Sequence, residues 1–442
     1  MATGSMSPAF MRVWAALAVS SIGDWAGILA TTVLVARLAQ EDAAAWAVAA
    51  MMGARLVALA LLGPIATAFA DRLDRRRALI GTDLARAALT AALPLSGDVL
   101  VVVCVVFALE GLGLLWAPLL DASLPNLVSE EALPRANALR LVASYGMLPV
   151  GSALFAATSA ASARAPGFVG EHVEAVALWV DAATFVISAS LVASVASGVL
   201  DPGRQRRRAT TRGPWHALLR NELRYLRTDT TTRQVVMALA LGFLAASSLS
   251  ALGPLLTLFV LDADASVYGV LVGVFGAGML GGAVFGARRP GVLSLRAMHL
   301  ALAGTGAALA SLSLVATWPA AAVLAAAAGL CAGIAMVVGY TTLQRNVPDE
   351  NRARTFAALT ITGRSVLLGG RVVLPAAVGA LGGILGDQGG ATRSGLAVSG
   401  VVVALAAVVG LRLSQRPAEE PGLPRRITRG ESTSNRSEGY RS

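Results

Sequence analysis

Apolar runs of about 20 residues, separated by short polar breaks, repeat along the whole chain. Twelve such runs cover roughly 11–37, 44–69, 78–96, 99–121, 138–162, 174–199, 234–261, 267–287, 297–316, 319–341, 357–384 and 394–413. Wound as an α-helix, a run of this length matches the hydrocarbon thickness of a bilayer, about 30 Å. Hydrocarbon offers no partner to a peptide N–H or C=O, so each run is expected to be a helix that satisfies its own backbone. The pattern predicts an all-α polytopic membrane protein of twelve transmembrane helices.

The polar breaks differ in charge. One alternate set holds Arg72, Arg75, Arg76, Arg77, Arg135, Arg204, Arg206, Arg207, Arg208, Arg212, Arg288, Arg289, Arg345, Arg352 and Arg354, and the tail adds Arg416, Arg425, Arg426 and Arg429. The other set holds little beyond Arg37, Arg164 and Arg393. Cytoplasmic loops carry the excess of basic residues, so both termini are expected on the cytoplasmic side of a plasma membrane. The longest break divides the runs six and six. The expected organisation is a bundle over 1–199, a cytoplasmic linker over 200–233, a second bundle over 234–414 and a disordered cytoplasmic tail over 415–442. Within the linker, Trp215, Leu218, Leu219, Leu223 and Leu226 share one helical face and Arg220, Arg224 and Arg227 another, as in a helix lying on a membrane surface. A solvated connector is the alternative. The halves also echo each other. "LVSEEALPRANAL" (127–139) follows the fourth run and "NVPDENRARTFAAL" (346–359) the tenth, which points to two pseudo-symmetric six-helix bundles.

Composition narrows the function. Hydrophobic residues make up 56% of the 442 and charged residues 14%, against about 25% in a usual soluble domain. Mean hydropathy is +0.68 and the isoelectric point about 10.9. The arginines lie between runs, which argues for topology rather than nucleic-acid binding. The chain has no Lys, which excludes a Walker A loop and a lysine Schiff base. Cys104 and Cys331 each fall inside an apolar run and read as packing residues. His172, His216 and His299 lack metal-ligand spacing. No nucleophile–base pair is evident, so an enzyme is not expected.

The densest charge is in "FADRLDRRRAL" (69–79), between the second and third runs. Here Asp71, Arg72, Arg75 and Arg76 match the G-x-x-x-D-R-x-G-R-R motif of the major facilitator superfamily, with Thr67 and Asp74 at its glycine positions. Further segments resemble the branch that contains the enterobactin exporter and macrolide-efflux proteins: "SSIGDW" (20–25), "DLARA" (83–87), "LPNLV" (124–128), "ANAL" (136–139), "DAATFVIS" (181–188), "YGVLVGVFGAGMLGG" (268–282) and "LQRNVPDENRAR" (343–354). The resemblance implies that the motif latches the halves on the cytoplasmic side when the cavity faces out. Asp71, Arg72, Arg75 and Arg76 would form that latch, and Asp83 and Arg86 would extend it. The other reading is that these arginines only enforce topology.

Ionisable residues at membrane depth are costly and mark function. Asp24, Arg55 and Glu110 fall near the middles of the first, second and fourth runs. In the resembled fold the first, fourth, seventh and tenth spans line the cavity, which would place Asp24 and Glu110 there. A carboxylate beside an arginine can exchange that partner for a proton, so Asp24 and Glu110 are the candidates for proton coupling, with Arg55 a partner to either or a substrate anchor. A static ion pair is the alternative. Arg364 and Arg371 share a face of the eleventh run, and Arg371, nearer its middle, is a candidate for binding an anionic group or a carboxylate of the first half. Trp25 and Trp116, with Tyr145, are candidates for stacking on substrate, against a packing role. Asp181 has the weaker case for a substrate role. Gly146, Pro149 and Gly151 partly match the G-P-x-x-G-G pattern of antiporters.

These features predict a secondary transporter: a proton-coupled exporter, or antiporter, of hydrophobic drugs or secondary metabolites working by alternating access, as in multidrug efflux. An exporter of an anionic siderophore or metabolite is the rival, and a non-transporting membrane protein that kept the fold is a second. The expected partners are a small-molecule substrate, protons and membrane lipids. A monomer is expected, with no nucleic acid, cofactor or metal.

Overall fold

A computed structural model describes residues 6–39, 43–70, 73–129, 132, 136, 139–140, 142–144, 146–196, 198–200, 230–288, 294–346 and 349–414. The described residues are helical throughout, with no strand among them. The long helices are α1 (Pro8–Leu38), α2 (Ala44–Ala70), α3 (Arg75–Ala92), α4 (Val99–Leu127), α5 (Leu148–Ser162), α6 (Ala175–Ala193), α7 (Thr230–Phe259), α8 (Ala265–Arg288), α9 (Leu295–Leu312), α10 (Trp318–Asn346), α11 (Asp349–Leu385) and α12 (Gln388–Ser414). Eleven of these are long and apolar enough to cross a membrane; α5, at 15 described residues, is the exception. The protein is a multi-pass membrane protein.

Local sequence explains where the helices begin. Ser7 caps α1, its Oγ accepting from the Phe10 amide at 3.1 Å, and Pro8 starts the first turn, where its missing N–H costs nothing. Asp74 caps α3 through the Arg77 amide at 2.9 Å. A carboxylate therefore stands at the glycine position of the charged motif because it closes the helix start. Asp98 caps α4 through Leu100 at 2.7 Å and Ser294 caps α9 through Ala297 at 3.2 Å. The fifth run, read from sequence as one helix over 138–162, is interrupted by a turn at Gly146–Met147. The helix resumes at Leu148, with Pro149 in its first turn. The Glu171 and Glu174 end of α6 is tied to α1 by Arg37, which pairs with Glu174 at 2.7 Å.

Helix pairing repeats with a shift of six. In the first half α1 packs on α6 and α5, α2 on α4, and α3 on α6 and α4. In the second half α7 packs on α12 and α11, α8 on α10, and α9 on α12 and α10. The same shift relates the two largest contacts between the halves, α5 with α8 and α11 with α2. Large side chains such as Val101, Ile187, Val284, Val401 and Leu405 are exposed on the outside of the bundle, as a lipid-facing surface requires.

Among the described residues the apolar packing shared by the halves lies at one end. There Leu34, Val48 and Met51 form a single core with Leu252, Leu256, Tyr268 and Phe275. Toward the end that carries the N-terminus of α1, Phe10, Val13, Leu79, Trp116, Leu119 and Val195 form a core within the first half alone. These ends are called the far face and the near face below. Small residues make the far-face seam tight: a Cβ on Gly276 would stand 3.2 Å from Pro149, and one on Gly379 would stand 2.8 Å from the Trp46 ring.

Candidate functional site

Four charged side chains from four helices meet near the middle of the first half. Arg86 of α3 bonds and ion-pairs with the Asp24 carboxylate of α1. Arg55 of α2 pairs with Glu110 of α4 at 3.0 Å. The two pairs lie within electrostatic reach of each other. Their carboxylates are the accessible members: side-chain exposure is 37% for Asp24 and 30% for Glu110, against 12% for Arg86 and 14% for Arg55. Water reaching the acids, with cations held behind them, is the arrangement in which a carboxylate can trade its cation for a proton.

Arg86 is surrounded by more acid than it binds. Its guanidinium carbon lies 4.0 Å from the centre of the Phe185 ring, a cation–π contact. Asp83, one turn earlier on α3, is fully buried and accepts a 2.6 Å bond from Ser188 of α6. The Trp116 indole N–H lies against the same carboxylate, and the Arg86 Nε is buried without a hydrogen-bond partner. Asp181 of α6 is also buried. It accepts from Thr184 at 3.5 Å, and no ion pair to it occurs among the described residues. Its carboxylate lies against the backbone of α1, where a Cβ on either Gly23 or Gly27 would collide with it.

The placement differs from the sequence reading at several residues. Asp83 and Arg86, expected to extend the loop latch, are turned into the bundle toward α6 and α1, because the α3 face that carries them packs on α6. Arg55, expected as a partner of either acid or as a substrate anchor, pairs with Glu110. Trp25 donates to the Ser144 carbonyl at 2.9 Å and packs on Gly151 of α5. Trp116 is buried in the near-face core of the first half. Both tryptophans make the packing contacts that were the alternative to stacking. Of the latch, Asp71 and Arg72 lie outside the described residues. Arg75 donates to the Leu200 carbonyl at 3.2 Å. Arg76 donates to the Val195 carbonyl at 2.9 Å and to that of Ala193. The C-terminal end of α6 is a natural place for cations. Tyr145, the side chain of Arg364, the linker helix at 215–227 and the tail also lie outside the described residues.

In the second half Arg371 of α11 is 9% exposed. Its Nε donates to Ser250 Oγ of α7 at 3.0 Å. Ser250 Oγ in turn donates to the Ser247 carbonyl at 3.1 Å, and Tyr268 of α8 donates to the Ser250 carbonyl at 2.7 Å. Arg371 lies within electrostatic reach of Arg55 and Glu110 across the seam.

Charged groups of both halves thus face one midplane seam. The sequence pattern of the Major Facilitator Superfamily matches residues 13–370. The chain belongs to the major facilitator superfamily. Solved structures with the same fold include a bacterial homologue of the human lysosomal transporter Spinster, inward-facing and unoccupied (TM-score 0.70, 14% identity, 93% of this chain and 97% of that one). The nucleoside transporter NupG is similar (TM-score 0.65, 12% identity, 93% and 100%), as is a POT family transporter in complex with 5-aminolevulinic acid (TM-score 0.63, 11% identity, 92% and 96%). At these identities the likeness is one of fold. No curated protein matches the sequence. As a member of the superfamily the chain is a small-molecule transporter rather than an enzyme, and the six-helix repeat of its packing is the fold's own.

Proposed function

We propose that the protein is a proton-coupled secondary transporter that exports hydrophobic small molecules, drugs or secondary metabolites, across the plasma membrane. The observation that carries the reading is the pair of midplane ion pairs with their acids exposed and their arginines buried. Export is supported by the resemblance of "SSIGDW", "DLARA" and "DAATFVIS" to the enterobactin-exporter and macrolide-efflux branch, and "DLARA" and "DAATFVIS" carry Asp83, Arg86 and Asp181. The basic residues at the near face support a cytoplasmic assignment for it. The two bundles are then joined on the outer side, and this conformation faces inward.

In this reading a proton on Asp24 neutralises the partner of Arg86. The guanidinium then turns to Asp83 and Asp181, which lie on its buried side. Glu110 and Arg55 form a second exchangeable pair. Each swap changes which helices are tied together: α1 to α3 in one state, α3 to α6 in the other. Such a rearrangement couples protonation to movement of the bundles.

The test is accumulation of a panel of dyes and antibiotics in an efflux-deficient bacterium, comparing wild type, Asp24→Asn and Glu110→Gln at matched expression, with and without a protonophore. Lower accumulation with wild type, lost with the protonophore and with Asp24→Asn, is the expected result. Efflux that survives both substitutions would remove the coupling role from these carboxylates.

A further inference from the structure

We infer that the transported molecule carries an anionic group, and that Arg371, held by Ser250, binds it as a two-pronged fork. This rests on the transport reading above and specifies its substrate as an amphipathic acid: an apolar body with one carboxylate, sulfonate or phosphate.

An arginine at mid-membrane is retained where a partner compensates its charge. Arg371 is nine-tenths buried, yet among the described residues no carboxylate lies within ion-pair distance of it. The other midplane arginines each have one, Asp24 for Arg86 and Glu110 for Arg55. Arg371 has instead been oriented. Its Nε is spent on Ser250 Oγ, and that hydroxyl is fixed as an acceptor because its own proton goes to the Ser247 carbonyl. Tyr268 clamps the Ser250 backbone from α8. The side chain is thereby anchored at its inner nitrogen to α7, which α8 braces in turn. Among the described residues this is the guanidinium's one hydrogen bond, which leaves its two terminal nitrogens open. Parallel N–H groups on one face of a guanidinium match the two oxygens of an acid, and a Lys cannot reproduce the match.

The surroundings set the rest of the ligand. Across the seam Arg55 and Glu110 cancel each other, so the fork is the net positive element there. The helices that carry the fork also supply apolar side chains that are only partly buried, Leu244 of α7 and Val372 and Leu374 of α11. A molecule bound there has its charge on Arg371 and its body along these apolar residues.

The experiment uses full-length protein in lipid nanodiscs and reads thermal stabilisation against ligand concentration. The probes are two matched pairs: 2-naphthoate with 2-naphthamide, and biphenyl-4-carboxylate with biphenyl-4-carboxamide. Both acids are expected to bind wild type at least tenfold more tightly than their amides. Arg371→Gln should bring the acids to the level of the amides, and Arg371→Lys should restore only part of the difference. Ser250→Ala keeps the arginine and releases its anchor, so it should weaken the acids several-fold and leave the amides unchanged. It also tests the site if Arg371→Gln does not fold. Equal responses to acid and amide in both pairs, no response included, would overturn the inference, as would an acid preference that survives Arg371→Gln. Binding in nanodiscs needs no proton gradient. Acid preference without efflux would therefore sink the transport reading alone, and proton-driven efflux indifferent to Arg371 would sink this one alone.

Discussion

Removing the Arg86 guanidinium should damage the protein more than neutralising the acid it binds. Arg86 is nearly buried and carries Asp24 directly, with Asp83 and Asp181 close by. Arg86→Gln strips the cation seated among Asp24, Asp83 and Asp181, with Arg55 the next within reach. Breaking a buried pair this way costs about 3–5 kcal/mol, because the acids are left uncompensated. Asp24→Asn is milder. Asp24 keeps 37% of its side chain in water, an amide still accepts from Arg86, and the guanidinium has two other carboxylates to turn to. Those three facts reduce its cost to about 1–2 kcal/mol, toward the value of a partly exposed pair. The double variant should be no less stable than Arg86→Gln alone, a coupling on the order of 1–2 kcal/mol. Thermal unfolding of the four purified proteins measures the order. The reasoning fails if Arg86→Gln melts no lower than Asp24→Asn, or if the two losses simply add.

Other outcomes follow from the packing. A Cβ on Gly273 would stand 3.5 Å from the Ser152 Cβ, within the span of a disulfide. In a background without Cys104 and Cys331, Ser152→Cys with Gly273→Cys should cross-link on oxidation and stop transport until reduced; cross-linked protein that still transports would contradict closure of the far face in this state. Gly27→Val forces a side chain into Asp181, an overpacking worth about 1–3 kcal/mol, and should lower the melting temperature, where Gly53→Ala, with open space around it, should not. Asp74→Ala removes the α3 cap at about 1 kcal/mol, and should lower stability slightly; an unchanged melting temperature would deny the cap a role.

The sequence determined what depends on its own local order. Helix number and the six-plus-six repeat follow from apolar run lengths, because a bilayer admits few structures for such runs, whereas the break at Gly146–Met147 in the fifth run left no mark in them. Asp24, Arg55, Glu110 and Arg371 were identifiable as the costly residues because charge inside an apolar run is visible without coordinates. Partnership was not visible. Arg86 and Asp83 stand only a short way past the charged loop, and proximity in sequence grouped them with it. The rotation of α3 against α6 put them instead with Asp24 and Ser188. Arg55 had two acids to choose from, and the α2–α4 contact chose Glu110. Trp25 and Trp116 had the chemistry of stacking residues, and helix packing turned them toward Ser144 and the near-face core. Asp181 was seen in its motif, but its seat between Gly23 and Gly27 depends on how closely α1 approaches α6. Composition fixes which charges must be compensated in hydrocarbon. Only the crossing of helices, which sets side chains from distant runs a few ångströms apart, decides what compensates them.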